Sequence, residues 1–167
     1  MVNPREFAPF RNVSQVAYVT TDYDRALAMF AERYDVSEWL HMPEGDFAIS
    51  DEESARLRIA LAYVGDLQLE LIQPCGGSDT VYRSPLPDSG FAVRFHHIAQ
   101  LMETESQLAA ARSAAEAAGV PIAMHGTSGE GMVRYFYTDH REELGHFIEH
   151  IWYAPDIRSF FDQVPRN

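Results

Sequence analysis

The sequence predicts an α+β fold built from paired βαβββ modules, and three observations carry that prediction. The chain states one pattern twice. A first copy opens with VSQVAYVTTDYDRALAMF and closes with LQLELIQP; a second opens with RFHHIAQLMETESQLAAA and closes with LGHFIEHIWYAP. Each copy carries a polar residue inside an apolar strand at matched places, Gln15 with His97 in the openings and Glu70 with Glu149 in the closings. A stretch rich in Pro, Gly and Ser, from Cys75 to Gly90, separates the copies. The expected organisation is one domain over residues 1–153, made of modules 12–74 and 91–153, followed by an amphipathic C-terminal tail, 154–167.

Each element has its own local reason. Val13, Gln15, Ala17 and Val19 alternate as a strand requires. Thr21 or Asp22 can cap the following helix, whose Ala26, Leu27, Phe30 and Tyr34 recur on one side. Pro43 and Gly45 make Leu40 to Asp46 read as a loop, with a short strand around Phe47 to Ser50. Leu57, Ile59, Leu61 and Tyr63 keep a two-residue period, and Gly65-Asp66 turns into a strand from Leu67 to Gln73 that Pro74 and the Gly pair should end.

The second module repeats this order. Its first strand covers about Ala92 to Leu101. Thr104 with Gln107 three positions later resembles a capping box, and Gly119 with Pro121 stops the Ala-rich helix. Val120 to Met124 is expected as a short strand, GTSGEG (Gly126 to Gly131) as a flexible loop, and Met132 to Tyr137 and His146 to Tyr153 as the last strands. In the tail, Ile157, Phe160, Phe161 and Val164 share a helical face that must cover either the sheet of its own chain or a partner subunit.

Composition narrows the function classes. Apolar residues make up 46% of 167, with ten Phe, eight Tyr and two Trp, which argues against disorder. All thirteen basic residues are Arg, so no lysine can form a Schiff base or serve a Walker-type phosphate loop. A formal charge of −12 argues against nucleic acid or anionic lipid as a main partner. Cys75 is alone, in a turn-like PCGGS, and reads as an incidental loop cysteine. No basic leader and no membrane-length apolar run is evident, which points to a soluble, cytoplasmic protein.

Strand parity sharpens the polar positions. Glu149 shares a face with Phe147 and Ile151, His97 with Phe95 and Ala99, Glu70 with Gln68 and Ile72, and Gln15 with Val13 and Ala17. Taken singly, Gln15 could hydrogen-bond at a strand edge, His97 could be a satisfied core histidine and Glu70 could face water. Glu149, inside HFIEHIWY, is hardest to place otherwise, because an unpaired carboxylate among apolar neighbours is expensive. A divalent cation shared by the two halves would offset that cost. One imidazole with oxygen donors suits zinc, iron, cobalt, nickel or manganese. His96, His146 and His150 fall on the opposite parity, as supporting or surface groups. Tyr135 and Tyr137 share a face that lines a pocket or packs as core, and Arg94 and Arg134 read as solvated.

These landmarks, SQVAYV with DYDRALAMF, LELIQP, HHIAQL and GHFIEH, resemble the vicinal oxygen chelate superfamily, which includes the glyoxalase, bleomycin-resistance and methylmalonyl-CoA epimerase folds. The resemblance covers about Asn12 to Tyr153. It implies an eight-stranded cup with a metal at its base, held here by Gln15, Glu70, His97 and Glu149. That set looks like zinc-type glyoxalase I. LELIQP and HHIA also look like methylmalonyl-CoA epimerase, from which Gln15 and Glu70 depart, and extradiol dioxygenases use a different set. Glutathione-using members carry Arg four residues after the first ligand and Asn four after the second; Val19 and Pro74 stand there.

The resemblance therefore implies a divalent-metal-dependent lyase or isomerase, with zinc as the first choice of cofactor, acting on a small-molecule carbonyl or oxygenated substrate other than a glutathione adduct. Glu149 is expected as the base abstracting a proton beside the carbonyl, with Glu70 on the opposite face. A metal-free binding or resistance protein of the same fold and an epimerase are the alternatives. A homodimer, with modules paired within or between chains, fits either.

Overall fold

The computed structural model describes residues 10–167. The reading of the extreme N-terminus as carrying no leader falls mainly outside them. The first half runs β1 (Val13–Thr20), α1 (Tyr23–Tyr34), β2 (Leu40–Ala48), β3 (Ser54–Val64) and β4 (Leu67–Gly77). A short helix, α2 (Thr80–Arg83), precedes β5 (Val93–Met102), α3 (Glu105–Ala117), β6 (Ile122–Ser128), β7 (Val133–His140) and β8 (His146–Tyr153). The eight strands form one sheet in the order β2-β3-β4-β1-β5-β8-β7-β6. β1 runs parallel to β4 and β5 parallel to β8, while β1 and β5 pair antiparallel at the centre. The curled mixed sheet is the eight-stranded cup.

Alternation along each strand sorts residues between two faces. Leu57, Ile59 and Leu61 of β3, Tyr135 and Tyr137 of β7, and Phe147 and Ile151 of β8 fill the concave face. On the convex side Ala60 and Ala62 leave room for α1, which lays Tyr23, Ala26 and Phe30 against them. Met102 and Phe136 receive Leu108 and Ala115 of α3 in the same way. Asp22 caps α1 through the Arg25 N–H, and Thr104 caps α3 through the Gln107 N–H. The carbonyl oxygen of the Gln107 side chain also accepts from the Glu103 N–H, one residue outside the expected box.

Three expectations change. Leu40 to Asp46 is strand, not loop: β2 is an edge strand, where Pro43 need donate no ladder bond, and a register shift between Met42 and Gly45 absorbs both breakers. β4 does not stop at Pro74. It continues to Gly77 opposite Ala55 by means of an irregularity between Arg56 and Leu57 of β3, so exposed Cys75 lies in a strand rather than a turn. Gly126 to Ser128 also belongs to a strand, the edge strand β6, and only Gly129–Gly131 is a separate 3-10 turn.

The two sheet edges meet. The His125 N–H donates to the Ile49 carbonyl at 3.1 Å, and the Tyr135 hydroxyl donates to the Ala48 carbonyl at 2.8 Å. The tail covers its own chain: after a 3-10 turn at Pro155–Ile157 and α4 (Arg158–Phe161), Val164 enters the concave core. The Tyr63 N–H donates to the Pro165 carbonyl at 2.8 Å, and the Asn167 N–H returns a bond to the Tyr63 carbonyl at 2.9 Å. Among the described residues no helix is long and apolar enough to cross a membrane.

Gly126 makes the edge closure sterically feasible, because a Cβ there would stand 2.5 Å from the Ala48 carbonyl oxygen and 2.8 Å from the Tyr135 hydroxyl. Gly126→Ala should therefore destabilise the protein by about 1–3 kcal/mol in urea unfolding, as overpacking does. Unchanged stability would show that the edges are free to separate.

Candidate functional site

The four singled-out residues lie on the four central strands. Ala17 of β1 pairs with Glu70 of β4 on one side and His97 of β5 on the other. Ala99 of β5 likewise pairs with Gln15 of β1 and Glu149 of β8. Two alanines, both essentially unexposed, thus alternate with the polar residues and leave space above the sheet centre for their side chains. The structure brings Gln15, Glu70, His97 and Glu149 together on the concave face.

His97 is fully buried, and its Nε2 stands 3.4 Å from an oxygen of Glu70 and 3.4 Å from an oxygen of Glu149. Its other ring nitrogen meets His96, Nδ1 to Nδ1 at 2.8 Å, and His96 Nε2 lies 3.1 Å from the Val81 carbonyl. A carbonyl only accepts, so His96 Nε2 carries the proton, His96 Nδ1 accepts, and His97 Nδ1–H is the donor. That tautomer directs His97 Nε2 at the two carboxylates. Parity alone would send His96 to the convex side. Between Ala17/His97 and Tyr18/Phe95, however, β5 spends one residue more than β1, and this bulge turns His96 inward.

Electrostatics follow from this geometry. Burial lowers the His97 imidazole, but hydrogen bonds and charge from Glu149 and Glu70 outweigh it and raise the group to about 9. Burial raises the Glu70 carboxyl, with His97 opposing the rise. His96 is held well below the usual histidine range by burial and by its charged neighbour, which keeps it an acceptor. In this state a proton on His97 occupies the place between the carboxylates, and among the described residues no group of three His, Cys, Asp or Glu side chains stands in ready-made metal geometry.

The donor set nevertheless fits a cation. Ligands of a tetrahedral zinc ion at about 2.1 Å stand roughly 3.4 Å from one another, which matches the distances from His97 Nε2 to both carboxylates. The Gln15 amide donates to Gln68 at 2.7 Å, while its buried Oε1 has no partner. An orphaned buried oxygen beside two carboxylates and an imidazole is the arrangement a divalent ion would complete. Gln15, Glu70, His97 and Glu149 could hold it.

Gln15, Glu70 and Glu149 open on a cavity of about 90 Å³ walled mainly by apolar side chains and by Tyr82, Tyr135, Tyr137 and Tyr153. Tyr137 places its hydroxyl 3.4 Å from His97 Nε2. Arg94 and Arg134 are exposed and outside it, and His150 is buried on the convex side against Phe136. Tyr82 is the participant that the sequence did not disclose. It stacks on His96 at 5.1 Å between centroids, from a helix of four residues hidden in the presumed linker. Asp79 and Arg83, an (i, i+4) pair bridging that turn, were its available signal.

The sign of the His97 shift makes a prediction. A group raised from about 6.5 to about 9 stabilises the folded metal-free protein fully below the lower value and loses that contribution as pH rises through the upper one. Metal-free protein should lose denaturant stability between about pH 6.5 and 9, and His97→Asn should flatten that slope. A native profile as flat as that of the variant would show that His97 is uncharged in the absence of metal.

Comparison with known proteins fits this architecture. The family model described as the glyoxalase/bleomycin resistance protein/dioxygenase superfamily matches residues 14–137. No curated protein matches the chain in sequence. Among solved structures, methylmalonyl-CoA epimerase from Mycobacterium tuberculosis is similar at 17% identity and a TM-score of 0.59, over 89% of this chain and 91% of that one. A variant of the Streptomyces coelicolor methylmalonyl-CoA epimerase in complex with 2-nitronate-propionyl-CoA is similar at 17% identity and a TM-score of 0.60, over 86% and 95%. A hypothetical protein from Bacillus halodurans follows at 12% identity and a TM-score of 0.52, over 84% and 92%. At these identities the structures attest to the fold alone, while the family model spans most of the sequence: the chain belongs to the glyoxalase/bleomycin resistance protein/dioxygenase superfamily.

Proposed function

We propose that this protein is a divalent-metal-dependent lyase or isomerase that moves a proton beside a carbonyl of a small oxygenated substrate. The supporting observation is the convergence of Glu70 and Glu149 on His97 Nε2, at 3.4 Å each, with the unpartnered Gln15 Oε1 lining the same cavity. Gln15, Glu70, His97 and Glu149 would hold the ion, zinc first, with iron, cobalt, nickel or manganese as alternatives. Such an ion supplies Lewis-acid polarisation of a substrate oxygen.

The chain's own groups do the rest. His96 and the Val81 carbonyl hold the His97 ring in orientation, as outer hydrogen-bond partners of metal-binding histidines do. A Glu149 carboxylate oxygen takes the proton from the substrate carbon. Glu70 stands on the other side of His97 Nε2, where its carboxylate oxygen can return a proton to the substrate carbon once substrate displaces it from the ion. The apolar and tyrosine walls reduce the water around the reacting carbon. Val19, where a glutathione clamp would be expected, is fully buried in the core, which supports a substrate other than a glutathione adduct.

A second reading is a metal-free small-molecule binder on the same fold. The ion pairs of His97 favour it, because they partly neutralise the two carboxylates without any cation. An epimerase acting like the structural neighbours is a narrower form of the first reading.

Hydrogen exchange decides Glu149's role. With metal-loaded protein and a panel of uncharged α-hydroxy ketones in D2O, the carbon-bound hydrogen beside the carbonyl should exchange. Glu149→Gln should slow this by about 10²-fold or more, as loss of a general base does, and Glu149→Asp should keep part of the rate. Undiminished exchange in Glu149→Gln would remove Glu149 as the base.

A further inference from the structure

We infer that Tyr153 and Phe161 form a partition that restricts this site to short, uncharged, apolar-substituted carbonyl substrates. The carbonyl part of this statement rests on the metal-dependent reading above; the size and charge limits rest on the cavities themselves. The inner cavity, holding Glu70 and Glu149, has a volume of about 90 Å³. Next to it is an outer cleft of about 520 Å³. Tyr153 and Phe161 line both spaces, with ring centroids 4.3 Å apart and planes inclined by 40°. Beside them the hydrogen-bonded amides of Gln15 and Gln68 divide the same wall, Gln15 facing the inner space and Gln68 the outer.

The wall is held from behind. Tyr153 ends β8, and Phe161 closes α4 in the tail. The tail cannot swing freely, because Val164 is buried in the core and Asn167 accepts through Oδ1 from the Ser37 and Glu38 N–H groups at 2.9 Å each. A ligand that extends from the inner cavity toward the outer cleft must therefore displace a packed aromatic pair.

Charge discriminates as well. Among the described residues no arginine lines the inner cavity, whose charged lining groups are two carboxylates. Arg158 lines only the outer cleft, beyond the partition. An anionic substituent drawn into the inner space would lose its hydration beside like charge, and the imidazole nearest to it, His97, is already engaged by Glu70 and Glu149.

The test uses three hydroxamates as metal-directed probes on cobalt-loaded protein, with binding read from the visible cobalt spectrum and by calorimetry. Acetohydroxamate should bind native protein at least about tenfold more tightly than hexanohydroxamate or the carboxylate-bearing succinate monohydroxamate, the scale on which a pocket rejects excess bulk. Phe161→Ala should gain about tenfold for hexanohydroxamate and leave acetohydroxamate unchanged; Phe161→Leu should stay near native. Phe161→Val replaces the alanine variant if thermal unfolding shows the latter to be unfolded. Equal affinity for the short and long probes in native protein, or a length preference that Phe161→Ala does not relax, would overturn the partition. Equal or tighter binding of the succinate probe would overturn the charge limit. Failure of the protein to take up cobalt would overturn the metal-dependent reading instead, and the same calorimetric series on metal-free protein then decides the partition.

Discussion

A fully buried imidazole flanked by two carboxylates on a largely apolar sheet face is the constraint around which the rest of the molecule is arranged. Each of these groups would be costly alone in that setting, and removing one partner from a buried ion pair costs about 3–5 kcal/mol. The strands must therefore deliver Glu70, His97 and Glu149 together. They do so through register: the antiparallel β1–β5 pair and the two parallel pairs flanking it set Ala17 between two of the polar residues and Ala99 between the other two. Alanine at both positions leaves the volume in which the longer side chains meet. A bulge in β5 then recruits His96, fixing which nitrogen of His97 faces the site.

The halves are alike where they build the floor and different where they build the walls. Each contributes one amide or imidazole from its opening strand and one carboxylate from its closing strand. After β4 the chain enters α2, whose Tyr82 supports His96; after β8 it enters the tail, whose Phe161 narrows the cavity. Repetition thus places the polar residues, and the unrepeated segments shape the cavity above them. A family fold shared at 17% identity with methylmalonyl-CoA epimerases is compatible with a different substrate for this reason.

Much of this was legible in the residues. Two-residue periodicity in Leu57, Ile59 and Leu61, the cap Thr104 and, of the two candidates for α1, the cap Asp22 were readable, because each is a local preference that tertiary structure reinforces, and the repeated polar-in-apolar positions do meet on one face. What escaped was decided at a distance. Pro43 and Gly45 looked like a loop because breaker residues are ambiguous until a strand is known to lie at a sheet edge. Gly126 looked flexible, whereas its missing Cβ serves the approach of β2 to β6. His96 was read as a supporting or surface group of opposite parity; it does support His97, but from the inner face, because one bulge suspends the parity rule. Tyr82 lay in a segment whose composition suggested a linker, and only its stacking on His96 gives it a place in the site.

The most direct measurement of the central claim is the transition-metal content of protein expressed and purified without chelator, compared with that of a Glu70→Leu/Glu149→Leu variant shown to be folded. The account predicts about one divalent ion per native chain, with zinc foremost, and essentially none in the variant. Native protein without bound metal, or equal metal in both proteins, would contradict it.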